Sequence, residues 1–125
     1  MVKPEITGRR DLTYSRWHRT LPSYCYMVDI DCVEWRSTKG VVALIETCIG
    51  TAIAYKKKFQ LRVLKEIAGK LGVPCYLVIY YPRNNYPRND KITLFEVYSL
   101  QDGEFPNCPK QVMTEGRFRD FLKSL

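Results

Sequence analysis

Apolar and polar positions alternate, run together and space out along this chain in a way that predicts strands, then a helix, then more strands. From Tyr24 to Trp35 the residues are aromatic, β-branched or Cys with acids interleaved, which predicts a long strand. Ser37-Thr38-Lys39-Gly40 reads as a hairpin turn. Val41 to Ile49 is an almost unbroken apolar run, as expected of a central strand buried on both faces. Gly50-Thr51 interrupts it. A helix is predicted from about Ala52 or Lys56 to Leu71, because Leu61, Leu64, Ile67, Ala68 and Leu71 recur at helical spacing. Gly72-Val73-Pro74 stops that helix. Cys75 to Tyr81 is a third buried strand. Following a helix directly, it belongs parallel to the second strand through a right-handed crossover. Lys91 to Ser99 reads as a fourth strand, with loops at Pro82 to Asp90 and Gln101 to Lys110. Thr114 opens a final short helix whose apolar face is Phe118, Phe121 and Leu122. At the other end, Asp11 to Trp17 suits a short helix begun by Asp11 or Thr13 and closed by Pro22.

These elements predict one α/β domain over residues 1–125, with a mixed four- to five-stranded sheet flanked by helices. The 125 residues suit one compact core, and neither a repeat nor a linker divides them. No apolar run approaches the roughly 20 residues that span a bilayer, so no membrane partner is expected. The first residues lack the hydrophobic stretch of a secretion signal, which makes a cytoplasmic location the expectation, in the host cytoplasm if the gene is viral. The five cysteines form no CxxC pair, which argues against a zinc finger. Their odd number argues against a disulfide framework, and they are expected to be reduced and mostly apolar in role. A net charge of +7 favours polyanionic partners, nucleic acid first.

Acids break the apolar pattern in two adjacent strands. Side chains alternate faces along a strand, so Asp29 and Asp31 share one face, and Glu46 and Cys48 share one face of the next. In the obvious hairpin register Asp31 and Glu46 converge. Carboxylates are costly there unless a cation or hydrogen bonds compensate. A divalent metal on Asp31 and Glu46 would explain the pattern; so would Arg or Lys side chains meeting the two acids at the sheet edge. Glu34 points to the other face, as a surface charge.

The order of a basic helix, a strand with Ile30-Asp31-Cys32-Val33, a strand with Ala43-Leu44-Ile45-Glu46-Thr47, a helix, and a strand with Tyr76-Leu77-Val78-Ile79-Tyr80 resembles the PD-(D/E)XK nuclease superfamily. The similarity covers roughly residues 5–81. It implies a restriction endonuclease-like core and hydrolysis of DNA phosphodiester bonds with Mg²⁺ or Mn²⁺. Asp31, Glu46 and the backbone carbonyl of Thr47 would be ligands, with Asp29 at a second site. Cys48 occupies the position of the family lysine and cannot act as a cation. A lysine from elsewhere would then have to reach the site: Lys56 is the foremost candidate, with Lys57 and Lys39 beside it. Failing that, the chain binds without cutting, or Cys48 is a drifted residue.

Arg9, Arg10, Arg16, His18 and Arg19, together with Lys56, Lys57 and Lys58, are candidates to line a DNA duplex on its phosphates, and Arg83 and Arg88 flank Tyr86 in a candidate nucleic-acid loop. The bland alternative for the lysine triplet is a solvated helix face. Gln60 reads as a polar helix-surface residue near the site. Glu5 stands where relatives often carry a further acidic ligand. The expected partner is DNA, with a homodimer possible where paired cuts are made. Two rival readings are a catalytically inactive nuclease-fold nucleic-acid-binding protein and an α/β protein-interaction domain.

Overall fold

The computed structural model describes residues 12–82 and 92–125. A short helix, α1 (Thr13–His18), precedes an antiparallel hairpin of β1 (Cys32–Arg36) and β2 (Gly40–Ile49). Two helices follow, α2 (Thr51–Tyr55) and α3 (Lys58–Leu71), and then β3 (Cys75–Pro82), which pairs parallel to β2. β4 (Ile92–Ser99), a turn of 3₁₀-helix (Leu100–Asp102), β5 (Lys110–Met113) and α4 (Glu115–Ser124) complete the chain. The sheet order is β1-β2-β3-β4-β5, with the β3–β4 and β4–β5 pairs antiparallel. This is an α/β architecture with a five-stranded mixed sheet flanked by helices.

β2 and β3 are buried on both faces because helices cover both sides. Leu44 and Cys48 of β2 and Leu77 and Ile79 of β3 pack under Leu61, Leu64 and Ala68 of α3. Ala43, Ile45, Tyr76, Val78, Phe95 and Val97 face the other way, onto Phe118, Phe121 and Leu122 of α4. Each fully buried aliphatic side chain in these layers contributes about 1.5–3 kcal/mol. Phe95 and Phe118 stack with ring centroids 4.1 Å apart, fixing α4 on the sheet. The Thr114 hydroxyl accepts from the Arg117 N–H at 3.3 Å and caps α4. Gly72, in the left-handed conformation, ends α3. Leu71 is exposed, so the apolar stripe of α3 stops being buried before the helix stops.

Three elements differ from the expectation. Sheet structure in the first strand begins at Cys32 rather than Tyr24: beyond the Cys32–Ile45 pair, the Thr47 N–H is taken by the Asp31 side chain at 3.1 Å instead of by a strand carbonyl. The one long helix is two, broken at Lys56–Lys57 between α2 and α3. A fifth strand, β5, forms at Lys110 after the loop and pairs with β4 at the sheet's edge. Among the described residues no helix is long and apolar enough to cross a membrane.

Candidate carboxylate and lysine site

The residue alternation of the β1–β2 hairpin sets the site. Cys32 pairs with Ile45, so Asp31 lies opposite Glu46 and on the same face, towards α2 and α3. Glu46 sits between Leu44 and Cys48 on that face and is only 4% exposed, the one charged residue buried among those described. Burial of this kind demands a partner. Lys57 provides it: its Nζ donates to Glu46 Oε2 at 2.7 Å and to the Thr47 carbonyl at 3.3 Å, and lies 3.8 Å from Asp31 Oδ2. Asp31 Oδ2 also accepts from the Thr47 N–H at 3.1 Å and the Thr47 hydroxyl at 3.3 Å. Two carboxylates and one carbonyl therefore converge on a single ammonium.

The break between the helices aims this lysine. Gly50 leaves β2 with φ +82°, a conformation that side chains with a Cβ rarely adopt, and turns the chain into α2. α2 closes through the Lys56 and Lys57 N–H groups on the Ile53 and Ala54 carbonyls. Lys57 then starts α3 from a non-helical φ of −99° and ψ of 10°. That offset turns Lys57 inward, while Lys56 is exposed and Lys58 lies over the Tyr55 ring.

Electrostatics follow from depth. Burial pushes the Glu46 carboxyl above the ordinary value of 4.5; the hydrogen bond from Lys57 opposes this, and the Asp31 charge adds to it. Burial alone would lower Lys57, but its bond to Glu46 and the charges of Glu46 and Asp31 outweigh that and hold the ammonium above 10.5. The Cys48 thiol is pushed up by burial and stays protonated near neutrality; its Sγ lies 3.6 Å from the Gly50 carbonyl.

The structure thus joins Asp31, Glu46 and Thr47 and adds Lys57. Lys56, the foremost lysine candidate, does not reach them, because it closes α2 on the outer side of the break. Lys39 is also elsewhere, donating to the Leu125 carbonyl at 3.2 Å. Cys48 flanks Glu46 but belongs to the apolar cluster with Leu44, Ala54 and Ile79. Glu34 lies on the opposite face from Glu46, paired with Arg36 at 3.0 Å. Asp29, His18, Arg19 and Gln60 line a separate polar cavity of about 420 Å³ beside α1. Asp31, Glu46 and Lys57 do not line it. Arg16 is exposed on α1. Glu5, Arg9, Arg10, Arg83, Tyr86 and Arg88 lie outside the described residues. All five cysteines are free thiols.

One polar group on the same sheet face escaped sequence reasoning. Tyr81 Oη donates to Glu96 Oε1 at 2.8 Å, and Lys110 Nζ lies 3.6 Å from Glu96 Oε2. The signal was present: Glu96 interrupts the Leu94-x-Glu96-x-Tyr98 alternation as Glu46 interrupts Leu44-x-Glu46-x-Cys48.

Among the described residues no three His, Cys, Asp or Glu side chains gather as a metal-ligand group. The oxygen donors that do converge are the hard kind preferred by Mg²⁺, which needs only one or two protein carboxylates. The place they share is filled by the Lys57 ammonium, so a metal ion could take these oxygens only if that ammonium moved off them. Compared with family models, with curated proteins and with solved structures, the chain matches none.

Proposed function

We propose that this chain is a metal-dependent nuclease that hydrolyses DNA phosphodiester bonds on a restriction endonuclease-like core. The single observation that carries the reading is the position of Lys57. The PD-(D/E)XK pattern read from Asp31 and Glu46 lacked its cation at Cys48; an ammonium arriving from the start of α3 supplies that cation beside the same two acids.

Asp31, Glu46 and the Thr47 carbonyl would hold Mg²⁺ or Mn²⁺, which when bound supplies Lewis-acid stabilisation of the phosphate and a more acidic water. Lys57 brings three N–H donors. Two are engaged, on Glu46 and the Thr47 carbonyl. A metal ion on those oxygens would require the ammonium to shift off them, and its donors would then be free for a phosphate oxygen or the attacking water, where a positive charge favours the developing negative charge. Thr47 holds Asp31 through both its N–H and its hydroxyl, so that carboxylate is oriented before substrate arrives. Glu46 must be ionised to act as a ligand, and its raised pKa makes this pH-dependent. His18 and Arg19, which line the separate polar cavity beside α1, suit flanking phosphates. The reading implies a cytoplasmic setting, the host's if the gene is viral, and a homodimer where two strands are cut together.

A second reading is favoured by the same geometry. An ammonium seated between two acids balances one of their two charges, enough to seat the buried Glu46 with no metal, as in a non-catalytic nucleic-acid-binding protein. Incubating plasmid, linear and branched DNA with the protein, with and without Mg²⁺ or Mn²⁺, separates the two. The nuclease reading expects metal-dependent cleavage that disappears in Asp31→Ala and Glu46→Ala. Cleavage surviving both changes overturns it, and salt-sensitive binding without turnover favours the second reading.

A further inference from the structure

On the side of α3 remote from β1 lies a second cavity, of about 380 Å³, between that helix and the segment around Gly103–Phe105. Lys58, Arg62 and Lys65 recur at the i, i+4, i+7 spacing of one helix face and all line it. Phe59, half exposed and backed by Tyr26 at 4.3 Å between ring centroids, forms an apolar wall, and Phe105, buried against Tyr55 and Tyr98, forms the floor. Glu104 is the one acid in the lining. Its pair with Arg62 is 3.5 Å long with both side chains 70% exposed, so the guanidinium is held weakly and can turn to another anion.

We propose that this cavity takes an unpaired nucleotide from a single-stranded segment of the substrate, its base against Phe59 and its phosphate on Lys58, Arg62 and Lys65. The inference rests on the nuclease reading for nucleic acid as the partner and adds the substrate class. Three cations over apolar walls complement a ligand that is anionic at one end and aromatic at the other. The size suits a small organic group of this kind. A base stacked in a duplex has no free face to present to a recess, whereas an unstacked one does. Base stacking on aromatic side chains beside a cationic groove is how single strands are commonly held. Lys57 and Lys58 are consecutive, so a strand whose scissile phosphate lies at Lys57 needs only to cross the start of α3 to reach the cavity.

The test is fluorescence anisotropy with the full chain in metal-free buffer, where no cleavage intervenes. Three labelled DNA probes of one sequence are compared: blunt duplex, duplex with a single-stranded extension, and single strand. The wild-type protein should bind the extended and single-stranded probes more tightly than the blunt duplex. Arg62→Glu and Lys65→Glu should each weaken the first two by about tenfold, Phe59→Ala by a similar factor, and all three should leave blunt-duplex binding within about twofold. Equal losses on every probe would mark a general basic surface and overturn the cavity assignment, as would unchanged binding in all three variants. Failure of the wild-type protein to bind any probe would sink the nucleic-acid reading along with it. The variants leave Asp31, Glu46 and Lys57 themselves unchanged, so metal-dependent cleavage of blunt DNA should persist in them and identifies which of the two ideas has failed.

Discussion

The two faces of the sheet are built from the same strands and have opposite characters. Towards α4, Ala43, Ile45, Tyr76, Val78, Phe95 and Val97 form an apolar cluster with Phe118, Phe121 and Leu122, in which Phe95 and Phe118 stack. Towards α2 and α3 the same β2 strand presents Leu44, then Glu46, then Cys48. One register step along β2 thus separates a residue that only packs, Ile45, from one whose charge must be balanced, Glu46. A packing face tolerates no unbalanced charge, and a buried acid held by a lysine contributes little net stability compared with apolar residues of the same volume. On the nuclease reading the chemistry sits on the α3 face, which also carries the fully buried Leu44, Leu77, Ile79 and Leu100, whereas the α4 face has a packing role alone.

The largest expected effect tests that assignment directly. Glu46→Gln should lower metal-dependent DNA cleavage by about a thousandfold or more while the far-ultraviolet dichroism is unchanged. Ile45→Ala, one residue away on the other face, should lower unfolding free energy by about 2–4 kcal/mol and leave cleavage by the folded protein within about twofold. A large loss of cleavage in folded Ile45→Ala would break the comparison.

Lys57→Met comes next, with cleavage expected to fall about a hundredfold. It also leaves Glu46 buried without its cation, so denaturant unfolding near neutral pH should show a loss of about 3 kcal/mol. That loss should shrink in acid, where Glu46 takes up a proton. Lys57→Arg should recover much of the stability, since it restores a cation.

A smaller effect lies in the pH dependence of stability. The folded Glu46 pKa is raised, so its contribution is complete below the ordinary value of 4.5 and is lost as pH rises through the higher folded value. Lys57 is also raised, so its contribution persists to 10.5 and is lost only as pH climbs through its own folded value. Urea unfolding against pH should therefore show a decline just above 4.5 that Glu46→Gln removes. A wild-type curve that rises across this window would contradict the assignment. The cleavage rate should climb over the same window, as Glu46 ionises.

At the small end stands Cys48. Cys48→Ala should leave cleavage within about twofold, because the thiol packs against Leu44, Ala54 and Ile79 and stays protonated. Cys48→Lys should cost about 2 kcal/mol of stability, since it brings a second ammonium into that cluster beside Lys57. A lysine there that raised activity without loss of stability would show that the position still accepts the cation.

Much of this architecture was legible in the pattern of residues. The continuous apolar run of β2, the helical spacing of Leu61, Leu64 and Ala68, the parallel placing of β3 and the cap at Thr114 all follow from local rules. What was hidden depends on tertiary context. No glycine or proline marks the break at Lys56–Lys57, and three successive lysines look alike until that break sets their phase. β1 shortened because Asp31 uses its side chain where a strand would use its backbone. β5 is four residues long and mostly exposed, with too little pattern to announce itself. The convergence of Asp31 and Glu46 was readable from alternation and turn length, whereas the identity of their cation was not.

Isothermal titration of Mn²⁺ into the wild-type protein and into Glu46→Gln tests the central idea most directly, since it reads ion binding without depending on turnover or choice of DNA. A binding heat in the wild type that is abolished in the folded variant is the expected result. Equal heats in both proteins, or none in either, would mean that Asp31 and Glu46 serve only to seat the Lys57 ammonium.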